Sequence, residues 1–272
     1  MEAKNFEQKY GPWALVTGAA EGLGAEFSRQ IAATGISTLL VDVQGEKVQA
    51  RAEEIAAESG VETRALVCDL AAPDFLGNLR EQSADLEIGL LVCCAGYGTV
   101  GPFLETPVEE MKRMTQINCQ STLELTHCYG NEMAQRGRGG IVIIASTSGY
   151  GGAPYVANYG ATKAYDLSLG EALWYELAPH GIDVIAFSPQ GTNTPGLRRG
   201  MPGLEEGEAR DGVMLPSEAV ELALGGLGRL ASLRPDMPER VSLKRQAVTE
   251  TAGEFLKQMA PEALRADSDT AS

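Results

Sequence analysis

Short apolar runs and longer amphipathic stretches alternate along most of the chain. The short runs are typical of buried strands, whereas the longer stretches repeat apolar positions every three or four residues, as helices do. The short runs predict six strands, over Trp13–Val16, Ser37–Val41, Glu62–Cys68, Ile88–Cys93, Ile141–Ala145 and Asp183–Ser188. The amphipathic stretches predict helices over Ala25–Ala33, Glu46–Ala57, Asp74–Ser83, Pro107–Arg136, Asn158 to about His180 and about Ser217 to Leu230.

This alternation determines the predicted fold. Strands separated by helices of these lengths need crossover connections, which give a parallel sheet covered on both faces. We therefore predict an α/β fold, a doubly wound parallel sheet of the Rossmann type with six or seven strands, forming a single domain over residues 1–272. Leu230–Met259 reads mainly as loop and helix, so the seventh strand is left open. Ligands of such sheets bind at the carboxyl ends of the strands.

One connection differs from the rest in composition. Residues 191–212 are rich in Gly, Pro and charge and follow the sixth predicted strand. Their place over the strand ends suits a mobile lid on a substrate site, and a plain surface loop is the alternative. The last residues, Arg265–Ser272, are expected to form a flexible tail.

Composition and charge exclude several partners. Of 272 residues, 44% are hydrophobic and 22% are charged, as in soluble globular proteins, and the net charge is -15. So acidic a surface disfavours nucleic acid and anionic membranes. The start of the chain lacks a secretory signal pattern, and the long uncharged runs are broken by Gly and Pro. We expect a cytoplasmic protein that does not enter a membrane.

The cysteines and histidines suggest neither disulfides nor a metal site. Five cysteines are an odd number, and most lie in apolar settings, as buried thiols do in a reducing compartment. There is no CxxC pair, and His127 and His180 stand apart from any partner at ligand spacing. We expect no metal.

The first predicted strand ends in a glycine-rich turn. Gly18, Gly22 and Gly24 follow it in a GxxxGxG spacing, and a helix comes next. Such a turn directs free backbone N–H groups and the positive end of the helix dipole at one point, which favours a pyrophosphate. Glycine permits the unusual dihedral angles and the close approach of backbone. A glycine-rich loop that merely caps a helix is the alternative.

Acidic residues end the second and third predicted strands. Asp42 lies where a carboxylate can accept hydrogen bonds from the adenosine ribose hydroxyls of NAD, and it would repel the 2′-phosphate of NADP. Asp69 ends its strand in the same way and could reach the adenine edge. For both residues the alternative is an Asp in an ordinary turn.

A tyrosine and a lysine occupy one face of the second long predicted helix. Tyr159 and Lys163 are four residues apart, so their side chains lie on the same side. An ammonium about 4 Å from the phenol oxygen favours the phenolate by up to ~4 kcal/mol at an effective dielectric near 20. That stabilisation would allow Tyr159 to exchange protons near neutral pH. Just upstream, Ser146, Thr147 and Ser148 end a strand, and one hydroxyl could donate to a substrate oxygen, or the segment is a polar turn.

Together these residues resemble the short-chain dehydrogenase/reductase family over most of the chain. The glycine turn matches that family's cofactor turn, and Ala95-Gly96 matches the end of its NNAG motif. Ser146, Tyr159 and Lys163 match the family's Ser…YxxxK set, and Pro189 and Thr194 fit its PGxxxT motif. Two departures stand out: Cys93-Cys94 replaces the paired Asn, which puts the rigidity of the cofactor site in doubt, and Gln190 replaces the Gly of PGxxxT.

The resemblance implies a site and a reaction. It implies that Tyr159 is the general acid/base, that Lys163 makes the phenol more acidic and holds the ribose, that Ser146 orients the substrate and that Asn118 supports a proton relay through water. It also implies that an NAD cofactor contacts Gly18, Ala20, Glu21, Gly22, Leu23, Gly24, Asp42, Asp69, Leu70, Ala95, Gly96, Tyr159, Lys163, Pro189, Thr192 and Thr194.

The expected function is an NAD-dependent oxidoreductase that interconverts a secondary alcohol and a ketone by hydride transfer. A mixed apolar and hydroxylic pocket fits a steroid-like, aromatic or acyl substrate and selects none of them. The family resemblance also implies a homodimer or homotetramer. The alternative is a non-catalytic NAD-binding sensor or scaffold on the same fold, although such a protein would not need all four catalytic residues. The substrate is expected to contact Tyr97, Ser148, Tyr155, Gln190, Thr147 and the Thr192–Arg210 loop.

Overall fold

A parallel sheet of seven strands forms the centre of the protein. The structure is a computed structural model, which describes residues 3–259. The strands of this sheet are β1 (Trp13–Thr17), β2 (Ser37–Asp42), β3 (Thr63–Val67), β4 (Ile88–Cys93), β5 (Gly139–Ile144), β6 (Ile182–Phe187) and β9 (Ser232–Leu233). Every neighbouring pair is parallel, in the order β3-β2-β1-β4-β5-β6-β9, so the predicted doubly wound fold is confirmed.

Helices cover both faces of the sheet. A separate two-stranded parallel sheet joins β7 (Gly191–Thr192) to β8 (Val213–Met214). The helices are α1 (Ala3–Tyr10), α2 (Gly22–Ala32), α3 (Gly45–Ser59), α4 (Phe75–Gln82), α5 (Val108–Thr115), α6 (Ser121–Arg136), α7 (Ala157–Leu177), α8 (Pro195–Gly200), α9 (Pro216–Gly226) and α10 (Glu239–Met259).

The core consists of two apolar layers, one on each side of the sheet. Successive strand residues point to opposite faces, so Leu15 packs into one layer and Val16 into the other. Both faces are covered, which explains why β1, β4 and β5 are buried along their whole length. One layer contains residues of α1, α2, α3 and α9, and the other contains residues of α4, α6 and α7.

Two elements differ from the sequence prediction. The single helix predicted over Pro107–Arg136 is divided into α5 and α6 by a π-helical segment, Gln116–Gln120. An inserted π turn leaves the apolar spacing nearly unchanged, so the pattern does not reveal it. The seventh strand, which was left open, is β9, and it pairs with β6 at only Ser232 and Leu233. Two residues are too few to show any periodicity.

The C-terminal helix α10 is attached to α7 by a buried carboxylate. Glu171 of α7 accepts two hydrogen bonds from Arg245 of α10, at 2.6 and 2.7 Å, and a third at 2.6 Å from Ser232 of β9. These bonds compensate for the burial of the charge. They also fix α10 and the short edge strand at the same point.

Residues 191–212 are more ordered than a plain loop. Asn193 is buried and donates to the backbone carbonyls of Glu205 and Glu208, both at 2.7 Å, while it accepts from Arg198 at 2.9 Å. These bonds organise the segment around β7 and α8. Its role as a lid stays a prediction, and the predicted tail, Arg265–Ser272, lies outside the described residues.

Three further observations concern the rest of the sequence expectations. All five cysteines are free thiols. Within residues 3–259 there is no helix long and apolar enough to cross a membrane. Over the same range, no three His, Cys, Asp or Glu side chains group as a metal site requires.

Candidate active site

The glycine turn lies at the carboxyl end of β1, where the order of the strands reverses. Gly18 has a φ of +68° and Gly22 a φ of +61°, a region that favours glycine. A Cβ on Gly24 would lie 2.1 Å from the Gly18 carbonyl oxygen, and one on Gly18 would lie 2.9 Å from Cα of Ala95. Each predicted glycine is therefore required by backbone conformation or by close packing.

The same turn fits the pyrophosphate of a dinucleotide. Helix α2 begins at Gly22, so its first N–H groups and the positive end of its dipole point out of the turn. A Cβ on Gly22 would meet the side chain of Thr194 at 3.1 Å, which places the Thr194 end of α8 directly against the turn. An anion at this point would contact backbone N–H groups, as the phosphates of a nicotinamide dinucleotide require. Leu23 is half-buried in the first turn of α2.

Asp42 is held beside the glycine turn. Its two carboxylate oxygens accept from the backbone N–H of Ala20, at 3.0 Å, and of Gln44, at 2.9 Å. The carboxylate is half-buried and retains lone pairs for further donors. The structure thus brings Asp42 and Ala20 together, as an adenosine ribose site in this crevice would require.

Glu21 precedes the second glycine and carries two ion pairs. Lys47 of α3 lies 3.1 Å from one of its carboxylate oxygens, and Arg199 of α8 lies 2.8 Å from the other. Partial burial opposes ionisation, but the hydrogen bonds from Arg199 and Lys47 outweigh it and hold the pKa of Glu21 below its usual range. Glu21 therefore remains ionised and joins the turn to α3 and α8.

Asp69 follows β3 and already has a cationic partner. Both of its oxygens accept from Arg113 of α5 at 3.0 Å, and one also accepts from the N–H of Ala71. Burial opposes ionisation, but these bonds keep the pKa of Asp69 low. The neighbouring Leu70 is buried. The carboxylate of Asp69 is thus engaged in an ion pair with Arg113. Its contact with an adenine ring stays a prediction.

Thr17 performs the structural role that the paired Asn would have. Its hydroxyl accepts from the backbone N–H of Cys94 and of Ala95, both at 3.0 Å, and donates to the Val92 carbonyl. Strand β4 is therefore tied to β1 even though Cys93-Cys94 replaces Asn-Asn. Burial raises the pKa of both thiols, that of Cys94 to about 12, so they are neutral near pH ~7.

Asn118 lies in the π-helical segment, and its carboxamide is fully engaged. It accepts from the Tyr97 N–H at 3.2 Å and donates to the Tyr97 carbonyl at 3.0 Å and to Thr162 at 2.9 Å. The residue thereby connects the loop after β4 to α7. A relay of protons through water beside it stays a prediction.

Lys163 is buried next to Asn118. A Cβ on Gly96 would lie 3.1 Å from the Asn118 side-chain oxygen and 3.4 Å from the Lys163 nitrogen, so Gly96 packs against both groups. Lys163 donates to the Ile144 carbonyl at 2.7 Å and to Asp166 at 3.0 Å. Asp166 was not among the site residues expected from the sequence.

Ser146 and Tyr159 lie on two segments that are packed together. Ser146 follows β5, and its hydroxyl accepts from the Ser148 N–H at 3.2 Å. The turn after it packs on α7, because a Cβ on Gly149 would lie 2.6 Å from the Lys163 carbonyl. The Tyr159 ring lies against Gly98, where an added Cβ would be 2.7 Å away. Gly98 is a second residue that the sequence did not single out.

The remaining predicted residues surround the opening above the strand ends. The Pro189 carbonyl accepts from Thr147, and the hydroxyl of the buried Thr192 donates to the Gln190 carbonyl. Thr194 caps α8 through the Leu197 N–H at 3.2 Å. The expected substrate residues Tyr97, Ser148 and Gln190 are half-buried, whereas Tyr155 is exposed.

Comparison with known proteins agrees with this geometry. A family model described as short chain dehydrogenase matches residues 12–201. The 7beta-hydroxysteroid dehydrogenase of Collinsella aerofaciens is 31% identical over 256 residues, which are 94% of this chain and 97% of that protein.

Two solved structures share the fold over nearly the whole chain. A short-chain dehydrogenase from Sphingobium yanoikuyae, in complex with NADPH, has a TM-score of 0.76 and 31% identity over 93% of this chain and 98% of that one. The bulky-bulky ketone specific alcohol dehydrogenase from Comamonas testosteroni has a TM-score of 0.75 and 29% identity, covering 93% and 96%. The chain therefore belongs to the short-chain dehydrogenase/reductase family, oxidoreductases that bind a nicotinamide cofactor and interconvert alcohols and ketones.

Proposed function

We propose that this protein is an NAD-dependent oxidoreductase for a bulky, largely apolar secondary alcohol or ketone, with Tyr159 as the general acid/base. The observation that best supports this proposal is the close packing of the four predicted catalytic residues or of the segments that carry them. Asn118 and Lys163 both pack against Gly96, and the Ser146 turn packs on the helix turn that carries Tyr159 and Lys163. This cluster lies at the same strand ends as the glycine turn.

Each side chain has a role that follows from its chemistry. Tyr159 would transfer the proton to or from the substrate oxygen, and Ser146 would donate a hydrogen bond to that oxygen. Lys163 is buried and cationic, so it would stabilise the phenolate and donate to ribose hydroxyls. When bound, the nicotinamide supplies or accepts the hydride.

The preference for NAD rests on Asp42, whose carboxylate lies beside the glycine turn and would repel a 2′-phosphate there. Glu21 adds nothing to this repulsion, because Lys47 and Arg199 both pair with it and offset its charge. The NADPH complex of the Sphingobium protein makes this preference the point to test.

Replacing Asp42 is expected to change the cofactor preference. We expect wild type to have a higher kcat/KM with NADH than with NADPH, and Asp42→Ala to reduce that ratio by roughly 10- to 100-fold, as the loss of charged hydrogen bonds implies. Asp42→Asn, which keeps the shape and removes the charge, should reduce the ratio in the same direction. A wild-type preference for NADPH would overturn the carboxylate argument.

The proposal of a bulky apolar substrate is supported by the rim of the opening. Val100, Phe103 and Leu104 follow β4 and are exposed, Leu104 by 94%. The Gly101 N–H donates to the Tyr155 carbonyl at 2.8 Å, so the exposed Tyr155 adjoins this loop. Exposed apolar groups clustered at a site are typical of a surface that binds an apolar ligand. Two of the similar proteins are named for hydroxysteroids and for bulky ketones.

A panel of ketones and secondary alcohols tests the function itself. We expect oxidation of NADH, followed by absorbance, with steroid-sized and diaryl ketones, and turnover at least about tenfold slower with small ketones such as acetone. Activity confined to sugars or other polar substrates would contradict the substrate proposal. Absence of turnover with NADH bound would favour the sensor or scaffold alternative.

Three further properties belong to the proposal. The acidic chain is expected in the cytoplasm, without nucleic acid or membrane partners.

The faces of α6 and α7 carry the exposed Leu123 and Tyr165, which fit contact with a second copy in a homodimer or homotetramer. Residues 191–212 would act as a lid, because α8 lies against the glycine turn and is joined to it by the Arg199–Glu21 ion pair.

A further inference from the structure

Lys163 is enclosed almost completely by protein. Its side chain is 6% exposed and that of Asp166 is 1% exposed, three residues further along the same face of α7. The ammonium donates to the Ile144 carbonyl at 2.7 Å and to one Asp166 oxygen at 3.0 Å. A buried amine with a single carbonyl acceptor would ordinarily lose its proton, because burial penalises the charged form. A carboxylate in contact with it reverses that preference.

We propose that Asp166 is a positioning residue that acts through Lys163: it is the counter-ion that keeps the buried lysine protonated and fixes it at the end of β5. The inference rests on the proposed function for its catalytic meaning, since a neutral amine would give Tyr159 no electrostatic support. The contact itself is independent of that function. Its geometry is set by the i, i+3 spacing on one helix.

Among the described residues, the other titratable groups that interact with the pair are thiols and phenols rather than carboxylates or amines. Burial raises the pKa of each nearby cysteine thiol, and of the Tyr165 phenol, so these groups are neutral near pH ~7. Burial opposes the charge on Lys163, but Asp166 outweighs it and raises the pKa of the amine. In the described part of the chain, the titratable groups around the pair are Tyr159 and Tyr165 of α7, Cys93 and Cys94 at the end of β4, and Cys119 of the π-helical segment.

The Asp166 carboxylate makes its polar contact through one oxygen. That oxygen accepts from Lys163 at 3.0 Å, and the other oxygen is buried and has no hydrogen-bond partner among the described residues. The ion pair with Lys163 is therefore the interaction that any substitution of Asp166 removes.

The dependence of apo-protein stability on pH tests the proposal without reference to catalysis. In Asp166→Asn, the side chain keeps its size and an acceptor but loses its charge. The pKa of Lys163 in the folded variant would then lie below its value in the unfolded chain. Between these two pKa values the unfolded chain binds more protons than the folded protein, so the free energy of unfolding rises with pH. We expect a Tm deficit relative to wild type that is largest near pH ~7 and narrows toward pH ~9.5.

The complementary variant should show the opposite trend. Burial already raises the pKa of Asp166 above its usual value, and Lys163 opposes that effect, so Lys163→Met should raise the folded-state pKa of Asp166 further. The contribution of the protonated Asp166 side chain to folding stability is then lost as pH rises. The Tm deficit of this variant should therefore grow between about pH 4 and about pH 7. The double variant lacks both charges and should show neither trend. Because the two single variants make separate predictions, failure of one to fold leaves the other as the test.

A matched control lies on the same helix. Glu171 is also a buried carboxylate of α7, but its partner is Arg245, which does not titrate in this range. Glu171→Gln should lower the Tm by an amount that stays constant between about pH 7 and about pH 9.5. A constant deficit for Asp166→Asn as well would show that Asp166 is merely structural and would overturn the proposal.

The rate profile then connects the pair to turnover. For Asp166→Asn we expect activity to fall along an added alkaline limb with a midpoint between roughly pH 7 and 9, as Lys163 loses its proton. Asp166→Glu, which restores the charge, should move that limb back toward wild type. An acidic shift of the whole profile without a new limb would mean that Lys163 stays protonated without Asp166, which contradicts the proposal. If no substrate is turned over, the Tm measurements still decide it.

Discussion

Tyr159→Phe is expected to lower kcat by about 1,000-fold while NADH binds as tightly as to wild type. The substitution removes only the hydroxyl, and loss of a general acid/base typically costs 100- to 10,000-fold, as a rough range. The ring still packs against Gly98, so the shape of the crevice is retained. Steady-state turnover and the fluorescence of bound NADH measure the two quantities separately.

Tyr155 provides a control in the same region, where Tyr150 also lies. Neither has a lysine four residues later, and Tyr155 is exposed on the rim. Tyr155→Phe should leave kcat within about threefold of wild type, because it removes no proton donor from the cluster. Unchanged turnover in Tyr159→Phe would remove this residue from its proposed role, and lost NADH binding would point to a collapsed site.

Gly98→Ala is expected to reduce kcat by about 100-fold, although Gly98 itself has no functional group. The added Cβ would lie 2.7 Å from the Tyr159 ring, closer than packed atoms approach, so the ring or the loop must move. A displacement of about 1 Å at a reacting group can cost about 100-fold in rate. Stopped-flow measurement of the hydride-transfer step, together with NADH affinity, identifies the loss as one of catalysis.

Gly101→Ala in the same loop is the matched control. Among the described residues, a Cβ there would meet only the Thr106 hydroxyl, at 3.8 Å, and Ala retains the N–H that donates to the Tyr155 carbonyl. Its kcat should therefore stay within about twofold of wild type, because no packed group has to move. Equal losses in both variants would mean that the loop tolerates no side chain in general, rather than that Gly98 sets the position of Tyr159.

Local pattern was sufficient for most of the fold. Strands such as Ile88–Cys93 are buried on both faces, so their apolar runs are continuous and easily recognised. The strand β9 is held by its pairing with β6 and by the hydrogen bond from Ser232 to Glu171 rather than by its own composition. The π-helical segment contains Asn118, which bonds Tyr97 and Thr162, and the apolar pattern does not reveal it. Both features depend on contacts between distant parts of the chain.

The arrangement of the candidate site was predictable where it depends on local spacing, whereas the roles of its residues stay predictions. The glycines and the Tyr159–Lys163 pair are local patterns, and the structure places them at one edge of the sheet. Gly98 carries no such signal, since its importance arises only from the ring that lies against it. Asp166 did carry a signal, an acid three residues after Lys163 on a face that must be buried.

The central claim is that a nicotinamide lies over the ends of the strands with its reactive ring beside Tyr159. A crystal structure of the enzyme with NADH and an unreactive ketone analogue tests it most directly. We predict that the hydroxyls of Tyr159 and Ser146 both lie within about 3.2 Å of the carbonyl oxygen and that Lys163 contacts the ribose. A carbonyl held elsewhere, with the Tyr159 hydroxyl directed away from it, would show that Tyr159 is not the proton donor of this site.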